Sequence, residues 1–330
     1  MKQTLFLLLL MIGLSVSAQD IKPRISVHDP VMIKQDSMYY IFCTGRGIAV
    51  WSSKNRVDWV REKPVFTQTP AWASQAIPKA KPNDFWAPDI SYYKGTYYLF
   101  YAVSVFGKNT SVIGLATNKT LNINSPDFKW EDQGMVIQSF PGQDRFNAID
   151  ANLIRDEKGT PWLSFGSFWD GIKLVKLSAD LKTTAEPRPW PTIAGRPRNK
   201  TLPDSVAGNG AIEAPFIFKK DEYYYLFTSW DYCCRGPKST YKMMVGRSKN
   251  IKGPYLDRIG SDLAKGGGTL VLAGDKEWYG VGHNAVCTFD GIDYIIFHAY
   301  DAADNGRSKL RVEQLGWDSD GWPVVELKHN

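Results

Sequence analysis

Ile212-Glu213-Ala214-Pro215-Phe216-Ile217, a charged turn through Lys220-Asp221, and Tyr223-Tyr224-Tyr225-Leu226-Phe227 together decide the fold. Two β-branched and aromatic runs around a polar turn read as an antiparallel hairpin. The plan recurs four more times. His28-Asp29-Pro30-Val31-Met32-Ile33 passes through Lys34-Gln35-Asp36-Ser37 into Met38-Tyr39-Tyr40-Ile41-Phe42. Ala87-Pro88-Asp89-Ile90-Ser91-Tyr92-Tyr93 turns at Lys94-Gly95 into Tyr97-Tyr98-Leu99-Phe100. Ile149-Asp150-Ala151-Asn152-Leu153-Ile154 turns through Lys158-Gly159 into Pro161-Trp162-Leu163-Ser164-Phe165. Gly282-His283-Asn284-Ala285-Val286 turns at Asp290-Gly291 into Tyr294-Ile295-Ile296-Phe297.

The leading polar residues lie 60, 61, 63 and 70 residues apart, at Asp29, Asp89, Asp150, Glu213 and His283. Each repeat continues into a further extended stretch, such as Gly47–Ser52 or Met243–Ser248. Three or four strands per repeat, five times over, predict an all-β chain folded as a five-bladed β-propeller. No helical periodicity follows the N-terminal segment. The first strand of each propeller blade lines the central channel. The five leading polar residues are therefore expected at equivalent positions, converging on one end of that channel.

Of the 330 residues, 43% are hydrophobic and 13% aromatic, which excludes a disordered, collagenous or coiled-coil chain. The formal charge of +6 is spread out with no run of five basic residues, which argues against a nucleic-acid partner. Four cysteines are too few for a disulfide scaffold. Cys233 and Cys234 are adjacent; Cys43 and Cys287 read as buried free thiols, with a bridge between them as the alternative. Lys2, the apolar run Leu5–Leu10 and the small residues Val16-Ser17-Ala18 have the order of a secretory signal peptide. The apolar stretch falls short of the ~20 residues that a bilayer needs. Residues 1–18 are thus expected to be removed. Residues 19–330 are then a secreted catalytic domain, periplasmic or extracellular, with no membrane anchor.

Converging carboxylates suit either a hard cation or hydrolysis of a glycosidic bond between two carboxyl groups. The surrounding aromatics favour the second: Trp51, Trp72, Trp86, Phe106, Trp162, Phe168, Trp169 and Trp230 sit near strand ends or in loops, where sugar faces stack on rings. Phosphate-loop, nucleophile-elbow and zinc-ligand motifs are absent.

These motifs resemble glycoside hydrolase family 43, and within it the endo-1,5-α-L-arabinanases. The resemblance rests on His28-Asp29-Pro30, Trp86-Ala87-Pro88-Asp89, Asn147–Asn152, Gly166–Ile172, Glu213-Ala214-Pro215-Phe216, Asp231–Gly236 and Gly282-His283-Asn284. It implies inverting hydrolysis of arabinan or arabino-oligosaccharides, with Asp29 as general base, Glu213 as general acid and Asp150 as the carboxylate that tunes and positions the acid. It gives Asp89 no catalytic role. It implies sugar contacts from Trp86 and Phe106, then from Asn147, Ser167 and Arg307. It also makes His283 the holder of one calcium ion with otherwise mainly water ligands. His298 is expected on the second strand of its blade, away from these roles. An exo-acting arabinofuranosidase or β-xylosidase would share the three carboxylates, whereas a non-catalytic carbohydrate-binding propeller would lack one of them.

Overall fold

All five expected hairpins are present in the computed structural model, which describes residues 24–199, 201–203 and 209–327. The segment read as a signal peptide lies outside these residues. Four hairpins close in two residues: Gln35 pairs with Met38, Tyr93 with Thr96, Lys220 with Tyr223 and Phe289 with Ile292. Their first turn residues, Asp36, Lys94, Asp221 and Asp290, have φ between 47° and 53°. At Lys94-Gly95 and Asp290-Gly291 the second residue is left-handed too (φ 78° and 79°), the type I′ geometry whose twist matches the strands it joins.

The hairpins are the inner halves of the blades of a five-bladed β-propeller. Blade 1 contains Val31–Gln35, Met38–Cys43, Ala49–Ser53 and Val60–Arg61; blade 2 contains Asp84–Tyr93, Thr96–Ser104, Ser111–Asn118 and Glu131–Ser139. Blade 3 contains Asn152–Arg155, Pro161–Phe165, Ile172–Lys176 and Thr192–Ala194; blade 4 contains Ile212–Lys220, Tyr223–Trp230, Lys242–Ser248 and Thr269–Ala273. Blade 5 has three strands, Trp278–Phe289, Ile292–Asp301 and Arg307–Gln314. The first strand of each blade touches the first strands on either side, so five inner strands enclose the axis. One six-residue helix, Ala71–Ala76, interrupts the β structure and is too short to leave a periodic trace in sequence.

The start of the described chain closes the propeller. Leu310 N–H donates to the Ile25 carbonyl at 3.0 Å, and Ser26 Oγ donates to the Ser308 carbonyl at 3.0 Å. Apolar layers fill each seam between blades. Phe100, Leu115, Leu163 and Val175 pack between blades 2 and 3, and Tyr225, Phe227, Ile295 and Phe297 between blades 4 and 5. Cys43 and Cys287 are free, the first buried and the second half-buried, whereas Cys233 and Cys234 are joined in a vicinal disulfide.

On or just before each inner strand, one residue lies in the left-handed region: Asp29 (φ 52°), Ala87 (41°), Asp150 (58°), Ala214 (53°) and His283 (51°). Two residues on, ladder pairing is regular: Val31 with Phe42, Asp89 with Phe100, Asn152 with Ser164, Phe216 with Phe227, and Ala285 with Ile296. This corrects the expected equivalence. Asp29, Asp150 and His283 are equivalent, but Glu213 precedes its kink by one place and Asp89 follows its own by two. Residue types recur along the sequence without keeping the backbone register.

The kinks are tied from blade to blade. Ala87 N–H donates to Thr44 Oγ1 (2.8 Å), Ala214 N–H to Asp150 Oδ2 (3.0 Å), His283 N–H to Ser229 Oγ (2.8 Å) and Asp29 N–H to His298 Nδ1 (3.1 Å). Further along, Leu153 N–H donates to Asp89 Oδ2 (2.7 Å) and Ile217 N–H to Asn152 Oδ1 (2.8 Å). Asp89 thus joins two blades. Burial pushes its carboxyl up to about 6, against the hydrogen bonds from Leu153 and Asn152.

Asp89→Ala leaves the Leu153 N–H buried without an acceptor and is expected to cost about 1.5–3 kcal/mol. Asp89→Asn keeps an amide oxygen, as Asn152 does one blade on, and should retain most of the stability. Denaturant unfolding of the two variants checks this; equal losses would remove the tie between blades.

Candidate active site

Asp29 is buried and accepts hydrogen bonds on both oxygens. Thr44 Oγ1 donates to Oδ2 at 2.5 Å, while His28 Nδ1 and His283 Nδ1 approach Oδ1 at 2.8 and 3.0 Å. Burial alone would raise its pKa, but the charges and hydrogen bonds of His28 and His283 hold it well below the usual carboxylate range. His298 completes the cluster from the second strand of blade 5, as expected for its strand, yet it packs directly against Asp29. Its Nδ1 accepts the Asp29 N–H, so its proton sits on Nε2. Burial first, then the neighbouring His28 and His283 charges, keep it neutral.

Asp150 is also buried and Glu213 half-buried, with the opposite result. Burial is the largest cause for both. It lifts Asp150 to about 8, with the charges of Glu213 and Asp29 adding to it. It raises Glu213 too, although Tyr241 Oη donates to Oε1 at 2.7 Å and Ser167 Oγ donates to Oε2 at 2.9 Å. Asp150 also holds the Ala214 N–H, which fixes the backbone beside Glu213. A carboxyl that its neighbours hold low thus shares this end of the channel with two that burial raises. That is the division of labour a general base and a general acid need.

The kinks separate two faces. Trp86, Ile149 and Glu213, each one place before its kink, line an open groove of about 340 Å³. Asp150 and His283, at their kinks, line the channel behind it with Asp89 and Asn284. The exposed Phe106 ring meets Trp86 edge-on in the groove, with centroids 6.4 Å apart. Asn147 and Ser167 line the groove as well; Ser111 Oγ donates to Asn147 Oδ1 at 2.5 Å. Arg307 is placed elsewhere. It is exposed and reaches Asp304 Oδ2 at 3.6 Å, held by the turn that starts its own strand, and it does not line the groove.

In the channel, His283 has one nitrogen committed to Asp29, which leaves Nε2 for another partner. Burial would lower its pKa, but Asp29, Asp150 and Glu213 raise it to about 9. The site therefore favours a positive charge. Asn284 beside it has both side-chain atoms, Oδ1 and Nδ2, buried without a partner among the described residues. An imidazole nitrogen and an orphaned amide oxygen within a ring of carboxylates fit a hard cation.

Several residues here escaped sequence reading. Tyr241 immediately precedes the third strand of blade 4, and its ring lies where Gly282 leaves room: a Cβ there would sit 2.3 Å from Tyr241 Cδ1. His28, beside Asp29 in sequence, carried a readable signal; Tyr300 and His298 in Phe297-His298-Ala299-Tyr300 carried only their residue types.

The sequence matches the model of glycosyl hydrolases family 43 over residues 23–323. It is 52% identical over 305 residues to a Cellvibrio japonicus protein named extracellular exo-α-(1→5)-L-arabinofuranosidase, covering 92% of this chain and 88% of that one. It is 44% identical over 302 residues to the extracellular endo-α-(1→5)-L-arabinanase 1 of Bacillus subtilis, covering 90% and 87%. The solved α-L-arabinanase of Cellvibrio cellulosa in complex with arabinohexaose superposes with a TM-score of 0.90 at 51% identity, over 92% of this chain and 96% of that one. No helix among the described residues is long and apolar enough to cross a membrane.

The Tyr241 hydroxyl favours the ionised form of Glu213. Tyr241→Phe should therefore raise the carboxyl pKa and move the alkaline limb of the kcat/KM–pH profile to higher pH. An unmoved limb would show that this profile does not report Glu213.

Proposed function

Because the chain belongs to glycosyl hydrolase family 43, we propose that it hydrolyses the α-1,5-linked arabinofuranosidic bonds of arabinan with inversion. The observation that carries this reading is the unlike setting of two carboxyls at one end of the channel, Asp29 held by His28, His283 and Thr44, and Glu213 by Tyr241 and Ser167. Asp29 takes a proton from a water whose oxygen attacks the anomeric carbon. Glu213 delivers its proton to the departing glycosidic oxygen as that bond breaks. Asp150 holds the Ala214 amide, so it positions Glu213. Trp86 and Phe106 supply ring faces for the sugar, and Asn147 and Ser167 supply polar groups at the same groove.

His283, with Asn284, would hold the calcium ion, and water would fill the remaining positions. Bound there, the cation would offset part of the carboxylate repulsion. The basic, apolar and small-residue order of residues 1–18 supports export, as does the word extracellular in the names of the relatives at 52% and 44% identity.

The mode of attack has two readings. Cys233-Cys234-Arg235-Gly236 and Gly166–Ile172 support internal cleavage. The name of the relative at 52% identity supports release from a chain end. Sizing the first products from debranched arabinan separates them: a ladder of oligosaccharides means internal cleavage, and a single small product from the outset means the exo mode.

Glu213→Ala should lower turnover on arabinan by roughly 10²–10⁴-fold, the scale of a general acid. Hydrolysis of an aryl glycoside with a good leaving group should suffer less, and equal losses on both substrates would remove the acid assignment. Calcium should raise the melting temperature of the wild type after chelator treatment, since a ligand held only by the folded state stabilises it. It should not do so in His283→Ala; a shift in both proteins, or in neither, would overturn the metal reading.

A further inference from the structure

The vicinal disulfide Cys233–Cys234 lies in the wall of the groove with Tyr232, Arg235 and Glu213. Its loop is anchored on both sides. Asp231 binds Arg196 Nη1 at 2.7 Å and Lys242 Nζ at 2.9 Å, and Arg235 N–H donates to Ser239 Oγ at 3.1 Å. Between the anchors the disulfide closes a small ring through one peptide bond. That ring removes the rotational freedom of both cysteine side chains and of the peptide between them.

What the ring holds in place is an N–H group. Cys234 N–H donates to Tyr300 Oη at 2.7 Å, and the same oxygen is 2.8 Å from His28 Nε2. Tyr300 Oη thus joins the Cys234 amide to the His28 ring. The other ring nitrogen of His28, Nδ1, lies 2.8 Å from Asp29 Oδ1. The contacts form one chain: amide, hydroxyl, imidazole, carboxylate. The His28 ring is further fixed by stacking on His298 at 3.9 Å between centroids, and Cys234 Sγ touches its Nε2 at 3.7 Å.

We propose that the Cys233–Cys234 disulfide is a positioning element for Asp29, acting through Tyr300 and His28, so that its reduction slows turnover while the groove still binds substrate. The inference rests on the reading of Asp29 as the base. The exposed Cys234 is open to a small reductant. A water-soluble phosphine attacks one sulfur and the S–S bond breaks. Water supplies oxygen to phosphorus, giving phosphine oxide, and the two sulfurs leave as thiols with one proton each. Cys43 and Cys287 are already free thiols, so the reagent has one target among the cysteines of the chain.

The test measures kcat and KM of the full chain on arabino-oligosaccharide before and after phosphine treatment, with thiol titration to count the bond broken and near-ultraviolet circular dichroism to confirm the fold. Reduction should lower kcat by about 10–100-fold, the usual loss when a partner that orients a working group is removed, with KM within about twofold. Tyr300→Phe keeps the ring but lacks the hydroxyl, and should lose kcat to a similar extent. Reducing Tyr300→Phe should then add no further loss, because both changes break one chain. Cys233→Ser/Cys234→Ser should match the reduced wild type, and reoxidation of the wild type should restore kcat. An unchanged kcat on reduction, a loss confined to KM, or losses that multiply in Tyr300→Phe would each overturn the proposal. Asp29→Ala separates the two levels. If that variant keeps its turnover, the base reading fails; if it is inactive while reduction is silent, this inference alone fails.

Discussion

Five backbone kinks hold the rest of the molecule in place. A non-glycine residue in the left-handed region costs roughly 1–2 kcal/mol, yet Asp29, Ala87, Asp150, Ala214 and His283 all adopt it on or just before an inner strand. Such conformations persist only where the surroundings over-determine them. Here the kink turns an N–H away from the ladder, and a side chain of the preceding blade captures it in four of the five cases. The capture satisfies a buried donor and fixes the position of one blade against the next. Apolar packing fills each seam but has no direction of its own. The captured N–H groups are directional, and they set the register between blades.

The same kinks sort the chemistry. Consecutive side chains on a regular strand alternate between the two faces of its own blade. At the kink, one residue addresses the groove and its successor the channel. Glu213 therefore meets substrate space while Asp150 and His283 look down the axis. Their environments then divide the protons. Asp29 has two imidazoles on one oxygen and a hydroxyl on the other, which outweigh its burial. Asp150 has one backbone amide and two carboxyl neighbours, and burial prevails. Acidic groups at the same end of the channel are thus pulled in opposite directions by their surroundings.

The propeller was legible because its signals are local. Tight turns at Asp36, Lys94, Asp221 and Asp290 separate strands whose period is two, and five repeats leave little room for another architecture. Asp29, Asp150 and Glu213 were legible as residue types within repeated motifs. The offset of Glu213 from the equivalent position was not. A kink is a property of φ, and Ala87 and Ala214 give no sign of it in their side chains. Tyr241, Tyr300 and His298 lie on or just before second and third strands, where aromatic and histidine residues look like ordinary blade filling. Their meeting with Glu213 and Asp29 depends on how far each strand is displaced across the sheet, and no short motif encodes that distance. The disulfide was also hidden, since adjacent cysteines are as compatible with two thiols as with one bond.

His298 shows why closing the propeller and building the site are one event. Its Nδ1 captures the Asp29 N–H across the seam between the last blade and the first. To do so it must be unprotonated at that nitrogen, and burial enforces this. Its Nε2 is then a buried donor without a partner among the described residues, a cost of about 1–3 kcal/mol. The return is that Asp29 is held by its backbone from one side while His28, stacked on the same His298 ring, holds its carboxylate from the other. A seam closed one residue out of register would still meet apolar side chains, whose attraction has no direction. It would leave the Asp29 amide and carboxylate without their partners, so the polar contacts at the axis, rather than the apolar seam, select the one register in which the site exists.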